Sequence, residues 1–168
     1  HEAAAALCLK VGMRSCKELR EAKEIDWWNK ELTADDLELL GTLGSVLPAL
    51  EVLGLWESSA GPEGVQRLVE GLGAGALPSV TKLALMWMHV DDAGASALAA
   101  ALGGGALPRL KILKLNDTAL SDAGLVALAP VLWRLPALER LHLTDNSFGD
   151  EGLAALMAPP PRAGAPPP

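Results

Sequence analysis

Chemistry in this chain would have to come from a short stock of side chains. Three histidines and two cysteines stand among 168 residues, and 17 glycines supply the loops. Two glycine-rich stretches, GLGAGA (71–76) and GGGA (103–106), have the composition of a phosphate cradle. Both follow apolar segments of helical spacing instead of preceding them, so they lie at the negative end of a helix dipole, which repels an anion. They read as return loops. His89 and His142 stand in separate segments with no serine or cysteine in a nucleophile context, and an isolated histidine of this kind is a structural or solvated group. His142 with Asp117 and Asp145 is the cluster that could act in catalysis or hold a small molecule, but no motif surrounds it. Cys8 and Cys16 lack further Cys or His at ligand spacing, so neither a metal site nor a disulfide framework is expected, and free thiols suit a reducing compartment. No cofactor and no enzymatic activity are expected.

Composition narrows the class further. Half of the residues are hydrophobic, enough for one domain with a real core. The net charge is −7 and the acids are scattered, which is wrong for a phosphate-tracking surface and argues against nucleic acid. The longest apolar stretches are short and rich in Gly and Ala, so no membrane insertion is expected. The sequence opens at His1 and carries no recognisable cleavable signal; an intracellular, cytoplasmic location is expected.

The elements that must position these residues come from a repeat. LPALEVLGLWESSAGPEGVQRLVEGLGAGA (47–76) aligns without a gap with LPSVTKLALMWMHVDDAGASALAAALGGGA (77–106). LPRLKILKLNDTALSDAGLVALAPVLWR (107–134) and LPALERLHLTDNSFGDEGLAALMAPPP (135–161) follow, and a degenerate copy occupies 19–46. The units share apolar positions: Leu50, Leu53, Leu55 and Ala60; Val80, Leu83, Leu85 and Val90; Leu110, Leu113, Leu115 and Leu120; Leu138, Leu141, Leu143 and Phe148. In the first copy these become Ala22, Ile25, Trp27 and Leu32. The pattern L-x-x-L-x-L-x-x-N/C-x-L resembles the leucine-rich repeat family, and the unit length, with room for a full helix, resembles its ribonuclease-inhibitor-like subtype. The resemblance covers residues 19–157. It implies an α/β solenoid of about five repeats, with a curved parallel inner sheet and outer helices, in which each unit closes its core only by stacking on its neighbours.

The helical halves carry their own signals. Asp122 and Asp150 mark helix starts, Pro62 a first turn, and Gly64, Gly94, Gly124 and Gly152 recur at one position, where helix and strand layers are expected to approach closely. Asp36 breaks that glycine column in the first copy. The family's asparagine column, whose side chain bonds the turn after the strand, reads Lys30, Ser58, Met88, Thr118 and Asn146. Lys30 and Met88 cannot make that bond, so irregular or water-supported turns are expected in the first and third units.

The dipeptide Trp27-Trp28 follows from the same register. Successive strand side chains point to opposite faces, so Trp27 takes a core position and Trp28 faces the inner curve. Its column reads Trp28, Trp56, Met86, Asn116 and Thr144, beside Asp26, Gly54, Ala84, Lys114 and His142. Strands about 4.8 Å apart bring Trp28, Trp56 and Met86 into one strip, with Trp87 and Glu57 at its rim. Such a strip reaches the size of patch that is normally covered, by the N-terminal segment or by a partner. The resulting expectation is a non-catalytic protein–protein interaction module that binds another protein on the concave face. The contact residues are Trp28, Trp56, Met86 and Trp87, and the orienting charges are Lys114, Asp117, Arg140, His142 and Asp145. The alternative is a regulatory or sensor domain of a larger protein or enzyme. Residues 1–18 read as a helical cap, 19–158 as the repeat domain and 159–168 as a proline-rich tail; the apolar last unit implies that further repeats or another subunit cover its end.

Overall fold

The computed structural model describes residues 2–56 and 59–158. His1, Glu57, Ser58 and the proline-rich segment 159–168 lie outside the described residues, together with the readings made of them. Helix α1 (Glu2–Lys10) and helix α2 (Cys16–Glu21) precede strand β1 (Glu24–Trp28). Helix α3 (Ala34–Thr42) and a 3-10 turn (Leu43–Val46) lead to β2 (Val52–Trp56). Then come α4 (Gly64–Glu70), β3 (Lys82–Leu85), α5 (Asp91–Gly103), β4 (Ile112–Lys114), α6 (Asp122–Leu132), β5 (Arg140–His142) and α7 (Asp150–Met157). The strands form one parallel sheet in chain order, β1 to β5, with helices on one face, as expected of a leucine-rich-repeat solenoid.

Register follows the repeat columns. Ile25, Leu53, Leu83, Leu113 and Leu141 stand opposite one another across the sheet. With Leu55, Leu85 and Leu115 they point toward the helices and, apart from half-buried Leu141, are buried. Burial along β1 alternates strictly, with Trp27 inside and Trp28 outside, so the two tryptophans separate as the period-2 rule requires.

The glycine column works by close approach. A Cβ at Gly64 would sit 2.5 Å from Ala60 Cβ and 3.1 Å from Leu37, and one at Gly124 would sit 2.5 Å from Leu120 and 3.1 Å from Asp92. Each helix start is therefore pressed between its own post-strand apolar residue and the preceding helix. Asp36 can replace glycine because α1, not a full repeat, precedes it. Its carboxylate accepts from Lys10 Nζ at 2.7 Å and from the Thr33 N–H at 2.9 Å, while Thr33 Oγ1 accepts from the Asp36 N–H at 3.2 Å. Thr33 and Asp36 form a reciprocal capping box at the start of α3, and the Lys10 bond ties that helix to α1. Burial of the Asp36 carboxyl pushes its pKa up, but the bonds from Lys10 and Thr33 outweigh this and hold it below its ordinary value.

Several local expectations need correction. Residues 1–18 form not one helix but α1 and the start of α2, and α1 packs against α3, away from the open face of the sheet. Pro62 lies in the turn before α4, which begins at Gly64. Asp122 and Asp150 do stand at helix starts, as the first helical residues after the caps Ser121 and Gly149. Asp122 also caps the following helix, accepting from the Gly149 and Gly152 N–H groups at 2.8 Å each. The first-unit turn is regular: Asn29 and Glu31 have φ of 51° and 57°, matching Asp117 and Ala119 at 54° and 57°. The third unit does deviate, since Met88 is buried and the second left-handed residue moves to Asp91. Cys8 Sγ lies 3.7 Å from Cys16 Sγ, both thiols being free; burial and the neighbouring thiol push Cys8 up to about 11.

Candidate functional site

The helix-free face of the sheet presents three rows of side chains. Glu24, Val52, Lys82, Ile112 and Arg140 form the first, and Asp26, Gly54, Ala84, Lys114 and His142 the second. Trp28 and Trp56 are paired at the strand ends, with Met86 next in line. Acids stand on β1 and bases on β3 to β5, so the face is polarised along the solenoid.

Trp28 and Trp56 share one hollow, and Trp56 and Met86 another. Among the described residues, the aromatic rings in contact are Trp56 and Trp87, whose centroids lie 5.3 Å apart at an interplanar angle of 84°. This edge-to-face geometry suits the ring quadrupole. The Trp28 ring joins them around a hollow of about 320 Å³ lined by Asp26, Trp28, Trp56 and Trp87. Trp56 is also the wall of a second hollow of about 70 Å³, shared with Asp26, Met86, Lys82 and Lys114. Trp28 is 63% and Trp87 51% exposed, whereas Trp56 and Met86 are half-buried. Gly54 and Ala84, the small residues of the neighbouring row, are buried. A Cβ at Gly54 would meet Asp26 Oδ1 at 3.0 Å, so the missing side chain lets that carboxylate lean over the strand.

Trp87 holds an unusual backbone position. The equivalent residues Asn29, Asp117 and Asp145 have φ of 51°, 54° and 59°, and Asn and Asp tolerate this left-handed region. Trp87 adopts φ of 59° with a bulky ring. Its N–H donates to the Asn116 carbonyl at 3.4 Å, which fixes the turn against the next unit. Asn116 itself carries a side-chain oxygen that is shielded from solvent and has no hydrogen-bond partner among the described residues.

The remaining candidates lie farther along the sheet. Lys114 is half-buried on β4, Arg140 is exposed and His142 half-buried on β5, and Asp117 and Asp145 are exposed in the turns after those strands. Asp117 shares a hollow of about 140 Å³ with Trp87 and His89. Arg140, His142 and Asp145 are not brought to the tryptophans. No ion pair joins His142 to Asp117 or Asp145 among the described residues, so the acid–base cluster is not assembled. Among the same residues no group of three or more His, Cys, Asp or Glu side chains could hold a metal ion. No described helix is long and apolar enough to cross a membrane.

Asp26, Glu24 and Lys82 belong to this face although the tryptophans drew attention away from them. The signal was in the columns: Asp26 stands two residues before Trp28 on the same strand face, opposite a glycine. The asparagine column, by contrast, reaches its full form only once. Asn146 Nδ2 donates to the Leu115 and Leu143 carbonyls at 2.7 and 3.1 Å, and Oδ1 accepts from the Thr118 and Leu120 N–H groups at 3.0 Å each. Thr118 Oγ1, fully buried, donates to the Leu115 carbonyl at 2.9 Å. These bonds fix the turns that carry Asp117 and Asp145.

At the far end, β5 is the last strand of the sheet among the described residues. Leu138, Leu141 and Leu143 are half-buried, and Leu153 and Met157 on α7 are exposed. A hollow of about 440 Å³ there is lined by Leu132, Trp133, Leu135, Leu141 and Leu156 among others. Trp133 Nε1–H donates to the Leu156 carbonyl at 2.8 Å and closes the end of α7.

Residues 76–99, 107–129 and 135–157 match the family model described as Leucine Rich repeat. These segments fall on the third, fourth and fifth units. Comparison with curated proteins gave no match. Leucine-rich repeats are generally protein-interaction modules and typically non-catalytic.

Proposed function

We propose that this leucine-rich-repeat solenoid is a non-catalytic module that receives a partner protein on the helix-free face of its sheet. Trp28, Trp56, Met86 and Trp87 act as apolar anchors, and Lys114, Asp117, Arg140, His142 and Asp145 set orientation and encounter rate. The observation that supports this most is Trp87. A left-handed backbone costs a bulky residue about 1–2 kcal/mol, yet the ring is half exposed against Trp56 instead of filling the core. Strain kept for an exposed aromatic is understandable when the ring meets something outside the chain. Large aromatics expose or bury about 150–250 Å² each, so three of them around one hollow make an anchor of the size found at interface centres. The charged residues lie beyond this cluster, where solvent weakens each contribution but leaves long-range steering.

The end of the sheet at β5 supports a second contact. Its half-buried leucines and the exposed Leu153 and Met157 form an apolar end face that another repeat or another subunit would cover.

The test compares capture by the native domain with capture by Trp28→Ser/Trp56→Ser/Trp87→Ser, checked for intact folding. A convex-face control, Gln66→Ala/Glu70→Ala, runs beside it. Loss of one partner by the tryptophan variant alone is the expected result. The same set retained by all three proteins would remove the partner from this face.

A further inference from the structure

The hollow framed by Asp26, Trp28, Trp56 and Trp87 has the composition of a cation receptor, a role that rests on the open face being the partner-binding face. Of the described residues that line it, three present indoles and one a carboxylate. The Trp56 and Trp87 rings meet at 84°, giving a corner, and Trp28 on the neighbouring strand closes a third side. Indole faces are electron-rich, and a cation within about 6 Å of a ring centroid is attracted to them. Asp26 has no ion-pair partner among the described residues. It is held over the site by the absence of a side chain at Gly54.

The donor count selects among cations. Among the described residues lining the hollow, the side-chain acceptors are the two oxygens of Asp26, since indole Nε1–H only donates. A guanidinium carries five donors and an unmodified lysine ammonium three strongly hydrated ones, so either would leave N–H groups facing carbon. A methylated ammonium keeps the full charge with one N–H or none. It therefore loses little hydration against indole walls and still meets the carboxylate. We infer that this hollow receives the methylated ammonium of a dimethyl- or trimethyllysine side chain on the partner polypeptide. The adjoining smaller hollow favours a polypeptide over a free small amine. It shares Trp56 and Asp26 with the first and continues toward Lys82, Met86 and Lys114, so a chain crossing the strands contacts both.

The test uses the full chain and a short Gly/Ser peptide with one central trimethyllysine. Matched peptides carry dimethyllysine, unmodified lysine, arginine, or the neutral isostere in which carbon replaces the ammonium nitrogen. Two-dimensional NMR follows the five indole N–H signals. Saturable shifts are expected at Trp28, Trp56 and Trp87 and not at Trp27 or Trp133. The methylated peptides should bind about tenfold more tightly than the isostere or unmodified lysine, the ratio expected of a cation held by several rings. Asp26→Asn should weaken them several-fold without shifting the thermal midpoint. Equal binding of the isostere would show a merely apolar hollow, and equal binding of arginine or lysine would show no selection for methylation; either overturns the inference. Free tetramethylammonium binding as tightly as the trimethyllysine peptide would overturn the polypeptide source. If no peptide shifts the indoles while the tryptophan variant still loses its captured partner, the cation receptor falls and the interface stands.

Discussion

Trp87 permits a test in which the sign, not only the size, of an effect is set by the backbone. In an exposed helix interior glycine is about 1 kcal/mol worse than alanine, so Ala100→Gly in α5 should lower stability. At position 87, with φ of 59°, the order should invert. Alanine retains a left-handed penalty of about 1–2 kcal/mol, and glycine escapes it while losing roughly 0.4–1 kcal/mol through the freer unfolded chain. The difference leaves Trp87→Gly more stable than Trp87→Ala by about 0.5–1 kcal/mol. Both variants forfeit the buried half of the ring, about 75–125 Å², worth at most ~2–3 kcal/mol at about 25 cal/mol per Å². Urea unfolding of the four proteins at a common m-value reads these differences directly. Because both substitutions remove the same wall of the hollow, partner affinity should fall equally in the two. Trp87→Ala equal to or above Trp87→Gly in stability would mean that the turn relaxes freely, and the strain argument for this face would be lost.

Asn146→Ala should cost about 2–4 kcal/mol, because it strands the Thr118 and Leu120 N–H groups together, each worth roughly 1–3 kcal/mol when unpaired, and leaves the Leu115 carbonyl with its Thr118 bond alone; amide exchange should speed first in the turns at 117–120 and 144–147. Gly41→Ala places a Cβ 2.1 Å from the Leu68 carbonyl oxygen, a backbone atom, so α3 and α4 must separate and calorimetry should show a loss of about 1–3 kcal/mol. Gly73→Ala, with nothing within 4 Å, should be neutral or slightly stabilising by up to about 1 kcal/mol. Asp36 is held below its ordinary pKa of 3.8 in the folded chain, so its stabilisation is present above that value and fades as pH falls through the lowered one. Native protein should therefore exceed Asp36→Asn by roughly 0.5–1 kcal/mol near neutrality, with the gap closing in strong acid; a gap that persists there would assign the effect to packing instead.

The core and register were legible because each is enforced many times over. A one-residue slip would turn Leu53, Leu83 and Leu113 to solvent together, so the alternation in five aligned segments leaves a single pairing. The place of Trp28 followed from the same rule. The strip was less legible because side-chain contact depends on rotamers and backbone sign, which no column states. Trp87 looked like a rim residue, yet its left-handed backbone brings it onto Trp56, and the Trp28 ring forms a further wall of the same hollow. Lys30 misled for a related reason: Asn29 and Glu31 take the left-handed positions themselves, so the turn keeps its shape without an asparagine in that column. Asp36 shows the converse, a break in a column whose cause lies in α1, outside the repeat.

The two faces of each strand obey different constraints, and this is what allows the outward face to vary without endangering the fold. An inward leucine contacts its own helix and both neighbouring units, so truncating it opens a cavity shared by three repeats, with typical losses of about 2–5 kcal/mol. An outward residue is limited mainly by its neighbours in the row. Gly54 accommodates Asp26, and Trp56 separates two hollows, but none of the three closes the core. Substitutions along the row from Asp26 to His142 can therefore retune charge and shape at small cost in stability. Trp87 is the exception, since its position already carries strain that Asn or Asp would relieve. Under the proposed function, an aromatic held there at the expense of the turn would place the specificity of this face on the first three units and leave the later ones to supply charge.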